Sequence, residues 1–127
     1  MSHYDQICNI NVLVGKTLVS VTQDKNVTLD FEDSDGQKYQ MYYEPDCCAS
    51  AWIEDVVGDL QDLVGTPIVM AEESTNSDDP YPESDYQPDS YTWTYYKLAT
   101  VKGYVTVRWF GQSNGYYCET ATFRRVN

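Results

Sequence analysis

The residues whose types and spacing best suit ligand chemistry lie in one aromatic tract, "TWTYYKLATVKGYVTVRWFGQSNGYY", at residues 92–117. Eight aromatic side chains in this tract are interleaved with Lys97, Lys102, Arg108 and amide side chains. A guanidinium beside aromatic rings and amides suits a nucleobase that is stacked near a phosphate. We therefore predict a ligand-binding site formed by Arg108, Trp109, Gln112, Asn114, Tyr116 and Tyr117, with Trp93 and Asp46.

Two other interpretations of the aromatic tract remain open. Tyr and Trp favour strands because their rings pack on a pleated surface, so most of these rings can have a purely structural role. Tyr, Trp and Arg are also enriched at protein–protein interfaces, so the same residues would equally suit a homo-oligomer.

Charge is distributed unevenly along the chain, whose formal net charge is −12 over 127 residues. Residues 1–90 hold 19 acids against three lysines, and residues 91–127 hold five cations against Glu119, which gives −16 and +4. Such an acidic excess disfavours direct binding to nucleic acid. It can, however, imitate nucleic acid.

Catalytic and metal-binding patterns are weak in this sequence. The only histidine, His3, lies near the N-terminus, so a Ser-His or Cys-His nucleophile is not expected. The four cysteines form no CxxC pair, and the adjacent Cys47 and Cys48 would chelate a metal poorly. We predict reduced thiols, no metal, no cofactor and no enzymatic activity. With no apolar run of membrane-spanning length and no signal peptide, we expect a cytoplasmic protein.

The predicted secondary structure comprises several strands and one helix. Alternating apolar residues in "NVTLDF" (26–31) and "KYQMYY" (38–43), separated by turn residues, predict a hairpin. Apolar residues at helical spacing in "SAWIEDVVGDLQDLVG" predict an amphipathic helix over residues 50–64. A short strand at 67–73 and a mobile acidic loop at about 75–89 follow. Strands at about 91–101, 103–111 and 116–125 complete the chain, with an Asn114-Gly115 hairpin between the last two.

These elements predict a single α+β domain over residues 1–127, an antiparallel sheet with the helix packed on one face. Alternation along residues 104–110 places Val105, Val107 and Trp109 on one side of a strand. The valine side is the expected core. Arg108 then lies among aromatic residues on the opposite side.

The segment "EPDCCASAWIEDVVGDLQDLVGTPIVMAEE", followed by "YTWTYYKLATVKGYVTVRWFGQSNGYYCE", resembles a family of small uncharacterised domains from phages and prophage-like bacterial regions. The resemblance covers about residues 36–122. The chain departs from the family pattern at Ala49, where an acid is expected, and at Cys118, where serine is usual. The resemblance implies an accessory factor that acts on host defence.

Two functions follow as competing hypotheses. In the first, the protein binds and sequesters a nucleotide immune signal of cyclic or ADP-ribose type, and oligomerisation completes the pocket. In the second, its acidic surface mimics nucleic acid and inhibits a host defence protein. A nucleotide-processing enzyme is the least favoured hypothesis, because no general base or metal cluster is visible.

Overall fold

Segments in which inward apolar and outward polar side chains alternate form eight strands in the described part of the chain. The structure, a computed structural model, describes residues 7–43, 49–76, 90–113 and 120–126. The strands are β1 (Leu18–Asp24), β2 (Thr28–Asp33), β3 (Lys38–Tyr42), β4 (Ala49–Val57), β5 (Met70–Asn76), β6 (Ser90–Thr100), β7 (Gly103–Ser113) and β8 (Thr122–Val126). Two short 3₁₀ helices accompany them, Ile10–Leu13 and Leu60–Leu63.

The strands form two four-stranded antiparallel sheets that share one core. The first sheet has the order β1-β2-β3-β8, and the second has the order β4-β7-β6-β5. Buried side chains from both sheets belong to a single cluster. Hydrogen bonds also join the two layers, because the Trp109 indole Nε1 donates to the Met41 Sδ at 3.2 Å and the Tyr96 hydroxyl donates to the Ala121 carbonyl at 3.3 Å. The architecture is a β-sandwich.

The predicted hairpin at the start of the chain is confirmed, since β2 pairs antiparallel with β3. A buried carboxylate organises its turn. Asp33 is 2% exposed and accepts hydrogen bonds from the Asp35 and Gln37 backbone N–H groups at 2.9 and 3.0 Å, and from the Tyr39 hydroxyl at 3.1 Å. Burial, and then the contact with Asp33, raise the pKa of the Tyr39 hydroxyl.

The prediction of an α+β fold with an amphipathic helix over 50–64 is wrong. Residues 49–57 form strand β4, and only residues 60–63 are helical, as one 3₁₀ turn. Helices in the described ranges are four residues long, so none approaches the length and apolarity needed to cross a membrane.

Gly58 separates the strand from the 3₁₀ turn, and its backbone explains why no continuous helix forms. Its φ is +104°, outside the right-handed helical region. A Cβ at this position would collide with the carbonyl oxygen of Tyr104. The chain therefore turns sharply against β7 at a point where only glycine fits.

The predicted acidic loop and the predicted second hairpin also differ from the structure. Residues 75 and 76 belong to β5, and residues 77–89 lie outside the described residues. The predicted Asn114-Gly115 hairpin requires the next strand to pair with the end of β7. That prediction is wrong, because Ser113 already pairs with Ala49 on one side and Ser90 on the other. β8 instead crosses to the first sheet and pairs with β3.

Candidate functional site

The candidate site lies on the outer face of the second sheet, the face turned away from the core. Val105, Val107 and Trp109 of β7 are buried inward, at 1% exposure or less. Because side chains alternate along a strand, Arg108 and Phe110 point to the opposite side. The alternation deduced from the sequence for this strand is confirmed.

Three aromatic rings pack together on this outer face and form what we call the aromatic cluster: Trp52, Phe110 and Trp93. They lie side by side on β4, β7 and β6, in register. The Phe110 ring centroid is 5.3 Å from that of Trp52 and 4.8 Å from that of Trp93, with tilted planes. Phe110 is only 1% exposed, whereas both tryptophans are half-buried. The tryptophans thus present part of their surface next to a buried ring.

Arg108 lies two residues before Phe110 on β7, on the same face of the sheet, and contacts the aromatic cluster. Its Cζ is 5.2 Å from the centroid of the Trp93 ring, a cation–π distance. Its Nη2 is 3.9 Å from the Asp55 Oδ2, and the two side chains are 39% and 51% exposed. The Arg108 Nε is buried without a hydrogen-bond partner among the described residues. A separation of 3.9 Å is too long for a hydrogen bond, so the guanidinium is held by the indole and only weakly by the carboxylate.

A β-bulge in β4 determines which carboxylate faces Arg108. The register shifts between Ile53 and Asp55, so Glu54 is the additional residue and Asp55 pairs with Arg108. Without the bulge, alternation would place Glu54 opposite Arg108 and turn Asp55 towards the core. Glu54 instead accepts a hydrogen bond from the Trp52 Nε1 at 2.8 Å. The bulge therefore keeps two carboxylates beside the cluster.

The family model described as "Domain of unknown function (DUF7448)" matches residues 11–123. The chain belongs to this family. No curated protein and no solved structure matches the chain. Membership confirms the predicted relationship to an uncharacterised domain family.

The DUF7448 domain brings together some of the predicted site residues and separates others. Arg108 and Trp93 are in contact, and Gln112 is half-buried on the same face. Trp109 lies on the opposite face of β7, is 1% exposed and binds Met41, so it belongs to the core and not to this surface. The remaining predicted residues lie outside the described residues: Asp46, Asn114, Tyr116 and Tyr117.

The predicted site omits several residues that the DUF7448 fold places on this face, although alternation already puts Phe110 on the same side of its strand as Arg108. They are Trp52, Glu54, Asp55, Tyr95, Phe110 and Asn76, whose Nδ2 donates to the Tyr95 hydroxyl at 3.3 Å. Trp52, Glu54 and Asp55 lie in the segment that is predicted to be a helix. The alternation of Ala51 and Ile53 with Trp52 was the signal that could have identified an outward tryptophan on a strand.

Cys8 is the one cysteine among the described residues, and it precedes the segment that matches the family model. Its thiol is free and half-buried, and burial raises its pKa. It lines a small cavity of about 170 Å³ with Glu73, Tyr96 and Phe123, away from Arg108. No group of three or more metal-ligating side chains occurs among the described residues. The other cysteines lie outside them, so the metal-free state stays a prediction.

Proposed function

We propose that this DUF7448 domain binds a nucleotide on the outer face of its second sheet. As a phage-type accessory protein in the host cytoplasm, it would thereby sequester a cyclic or ADP-ribose-type immune signal. The observation that carries the proposal is the environment of Arg108, whose guanidinium lies over an indole and whose buried Nε has no hydrogen-bond partner among the described residues.

The chemistry of Arg108 suits a phosphate. Its planar fork of N–H donors matches phosphate oxygens, and charge-assisted hydrogen bonds of this kind are the stronger ones in proteins. Leaving a donor buried and unpaired costs about 1–3 kcal/mol, which an anionic ligand that reorients the guanidinium can recover. The indole of Trp93 keeps the guanidinium next to the sheet surface.

The aromatic cluster supplies the second element of nucleotide recognition. Trp52 and Trp93 are half-buried on either side of Phe110, so each tryptophan retains accessible surface, and that of Trp93 lies next to the guanidinium. Stacking of a base on an aromatic side chain contributes about 1–3 kcal/mol. Gln112, on the same face, offers an amide that can both donate to and accept from a base edge.

Calorimetry against cyclic and ADP-ribose-type nucleotides tests the proposal, with wild type and Arg108→Lys compared. Lysine keeps the charge but loses the fork, so we expect binding to weaken by about 1–3 kcal/mol. Trp52→Ala should weaken binding by a similar amount if a base stacks there. Absence of binding by the wild-type protein across the whole panel would refute the proposal.

Arg124→Lys is the matched control, because this arginine also lies over an aromatic ring. Its Cζ is 4.5 Å from the Tyr42 ring centroid, but on the first sheet. Arg124→Lys should leave nucleotide affinity unchanged. Equal losses in both variants would place binding elsewhere.

Native mass spectrometry of protein purified from cells complements the calorimetry. It reports any retained small molecule together with the stoichiometry. A homo-oligomer that carries a nucleotide would support a pocket completed by a second copy. An oligomer with no ligand, together with a negative calorimetric panel, would favour the interface interpretation of the aromatic residues.

A further inference from the structure

The neighbourhood of Arg108 contains more carboxylates than cations. Among strand residues described on the outer face of the second sheet, the cations are Arg108 and Lys97. The acids are Asp55, beside Arg108, Glu54 in the bulge, and Glu72, which pairs with Lys97. On a face of this composition, an anion is attracted only close to the Arg108 guanidinium, because the carboxylates repel any additional negative charge.

The β-bulge in β4 determines the position of Asp55. The Ile53 backbone N–H, just before the bulge, donates to the Asn26 carbonyl at 2.5 Å, which links the bulge to the turn between β1 and β2. Bulges re-aim side chains, and they are frequent next to functional sites. Here the bulge turns the Asp55 carboxylate, which would otherwise point inward, to the outer face of the sheet. Asp55 is half exposed and 3.9 Å from Arg108, close enough to compete with a ligand anion and too far to satisfy the guanidinium.

From this geometry we propose that Asp55 sets the charge specificity of the site. Among the ligands of the proposed function, it favours cyclic nucleotides with a singly charged phosphodiester over ADP-ribose-type nucleotides, whose diphosphate carries two charges. The inference rests on the proposed function. A cyclic phosphodiester has a single delocalised charge for Arg108 to bind. A terminal triphosphate would extend further charges towards Asp55 and Glu54, where no described strand residue supplies a cation.

A binding series in which only the phosphate charge varies tests this proposal. The probes are the 3′,5′-cyclic monophosphates and 5′-triphosphates of adenosine and guanosine, titrated without divalent cations so that the phosphate charge is not neutralised. The wild-type protein should favour the cyclic form. Asp55→Asn should raise triphosphate affinity relative to cyclic affinity by about tenfold, since the amide removes the repulsion near Arg108.

Two control variants make the result specific. Asp55→Glu keeps the carboxylate and should preserve the wild-type preference. Asp30→Asn removes the same charge from an exposed position on β2, in the first sheet, and should leave the affinity ratio unchanged. The melting temperature of each variant verifies that it is folded.

The outcomes separate this inference from the function on which it rests. A wild-type preference for triphosphates, an unchanged ratio in Asp55→Asn, or an equal change in Asp30→Asn would overturn the role of Asp55 while nucleotide binding stands. Loss of all binding in a folded Asp55→Asn would make Asp55 a residue that positions Arg108 and would also overturn the inference. If the wild-type protein binds no probe and no member of the wider nucleotide panel, the proposed function fails as well.

Discussion

The indole Nε1 of Trp109 lies 3.2 Å from the Sδ of Met41, and this contact joins the centres of the two sheets. Both residues are buried, at 1% and 0% exposure. We expect Trp109→Ala to lower the free energy of unfolding by about 3–5 kcal/mol, because it removes a large core side chain and leaves a cavity. Tyr104→Ala, on the same strand but 74% exposed, should change it by less than about 0.5 kcal/mol. Urea titrations measure both values. Similar losses in the two variants would contradict this assignment of the core.

Substitution of Gly58 and of Gly36 distinguishes the stability cost of a left-handed backbone conformation from the cost of a steric collision. Both have positive φ, +104° and +85°, but only a Cβ at Gly58 would meet the backbone of Tyr104. Gly36→Ala should cost about 1 kcal/mol for the left-handed conformation alone. Gly58→Ala should cost clearly more, because β7 must also shift. Thermal unfolding of the two variants tests the order, and a smaller loss for Gly58→Ala would be inconsistent with the close approach.

The raised pKa of the Tyr39 hydroxyl predicts a loss of stability in alkaline solution. Because ionised tyrosine is disfavoured in the folded state, this contribution is complete below the ordinary tyrosine pKa of about 10 and is lost as pH rises through the folded pKa. Near neutral pH, Tyr39→Phe should be about 1 kcal/mol less stable, since Asp33 loses a donor. Above about pH 10 the difference between wild type and Tyr39→Phe should shrink. Unfolding measured across pH tests this, and a constant difference would exclude the effect.

The cysteines should be reduced and free of metal. Thiol titration after denaturation should count the four cysteines of the sequence, and elemental analysis should find no stoichiometric zinc. In the folded protein the raised pKa of Cys8 should slow its alkylation relative to the denatured chain. Peptide mass spectrometry follows Cys8 directly. A bound zinc ion or a disulfide would contradict the prediction.

Replacement of residues 78–88 by a short Gly/Ser link separates the two functional hypotheses. The link would join β5, which ends at Asn76, to β6, which begins at Ser90. Since residues 78–88 contain no aliphatic side chain that could anchor them to a core, we expect a nearly unchanged melting temperature and unchanged nucleotide affinity. If the replaced protein stays folded but no longer counteracts host defence, nucleic-acid mimicry by the acidic segment becomes the better explanation.

Alternation was a reliable guide wherever a strand is regular. It predicted the hairpin of β2 and β3 and the two faces of β7, including the outward position of Arg108, because one face of each of these strands is buried. The contact of Arg108 with Trp93 follows from that face assignment together with the pairing of β6 and β7. Sequence alone identified the residue types but not the register that joins them.

The helix was predicted because a bulge changes the spacing of inward residues. Ile53 and Val56 pair with Trp109 and Val107, two core residues of β7. In a regular strand, neighbouring inward residues are two positions apart, and the additional residue of the bulge increases this separation to three. With Val57 and Leu60 following, the apolar positions then imitate the spacing of a helix face. From Ile53 onward, local periodicity does not distinguish a bulged strand from a helix, because the inward direction of Ile53 and Val56 is imposed by β7, far along the chain. The same error hid Trp52 and Asp55 from the predicted site.

The first sheet is completed by a strand from the other end of the sequence. β3 pairs with β8, so that Met41 lies beside Phe123, and the Cys8 backbone N–H donates to the Phe123 carbonyl at 3.0 Å. During synthesis, β1, β2 and β3 leave the ribosome long before their fourth partner, and the edge of β3 stays open for that interval. Sheets built from such distant pairs fold on the millisecond-to-second scale. We therefore expect the complete sandwich to form only after residues 122–126 have emerged.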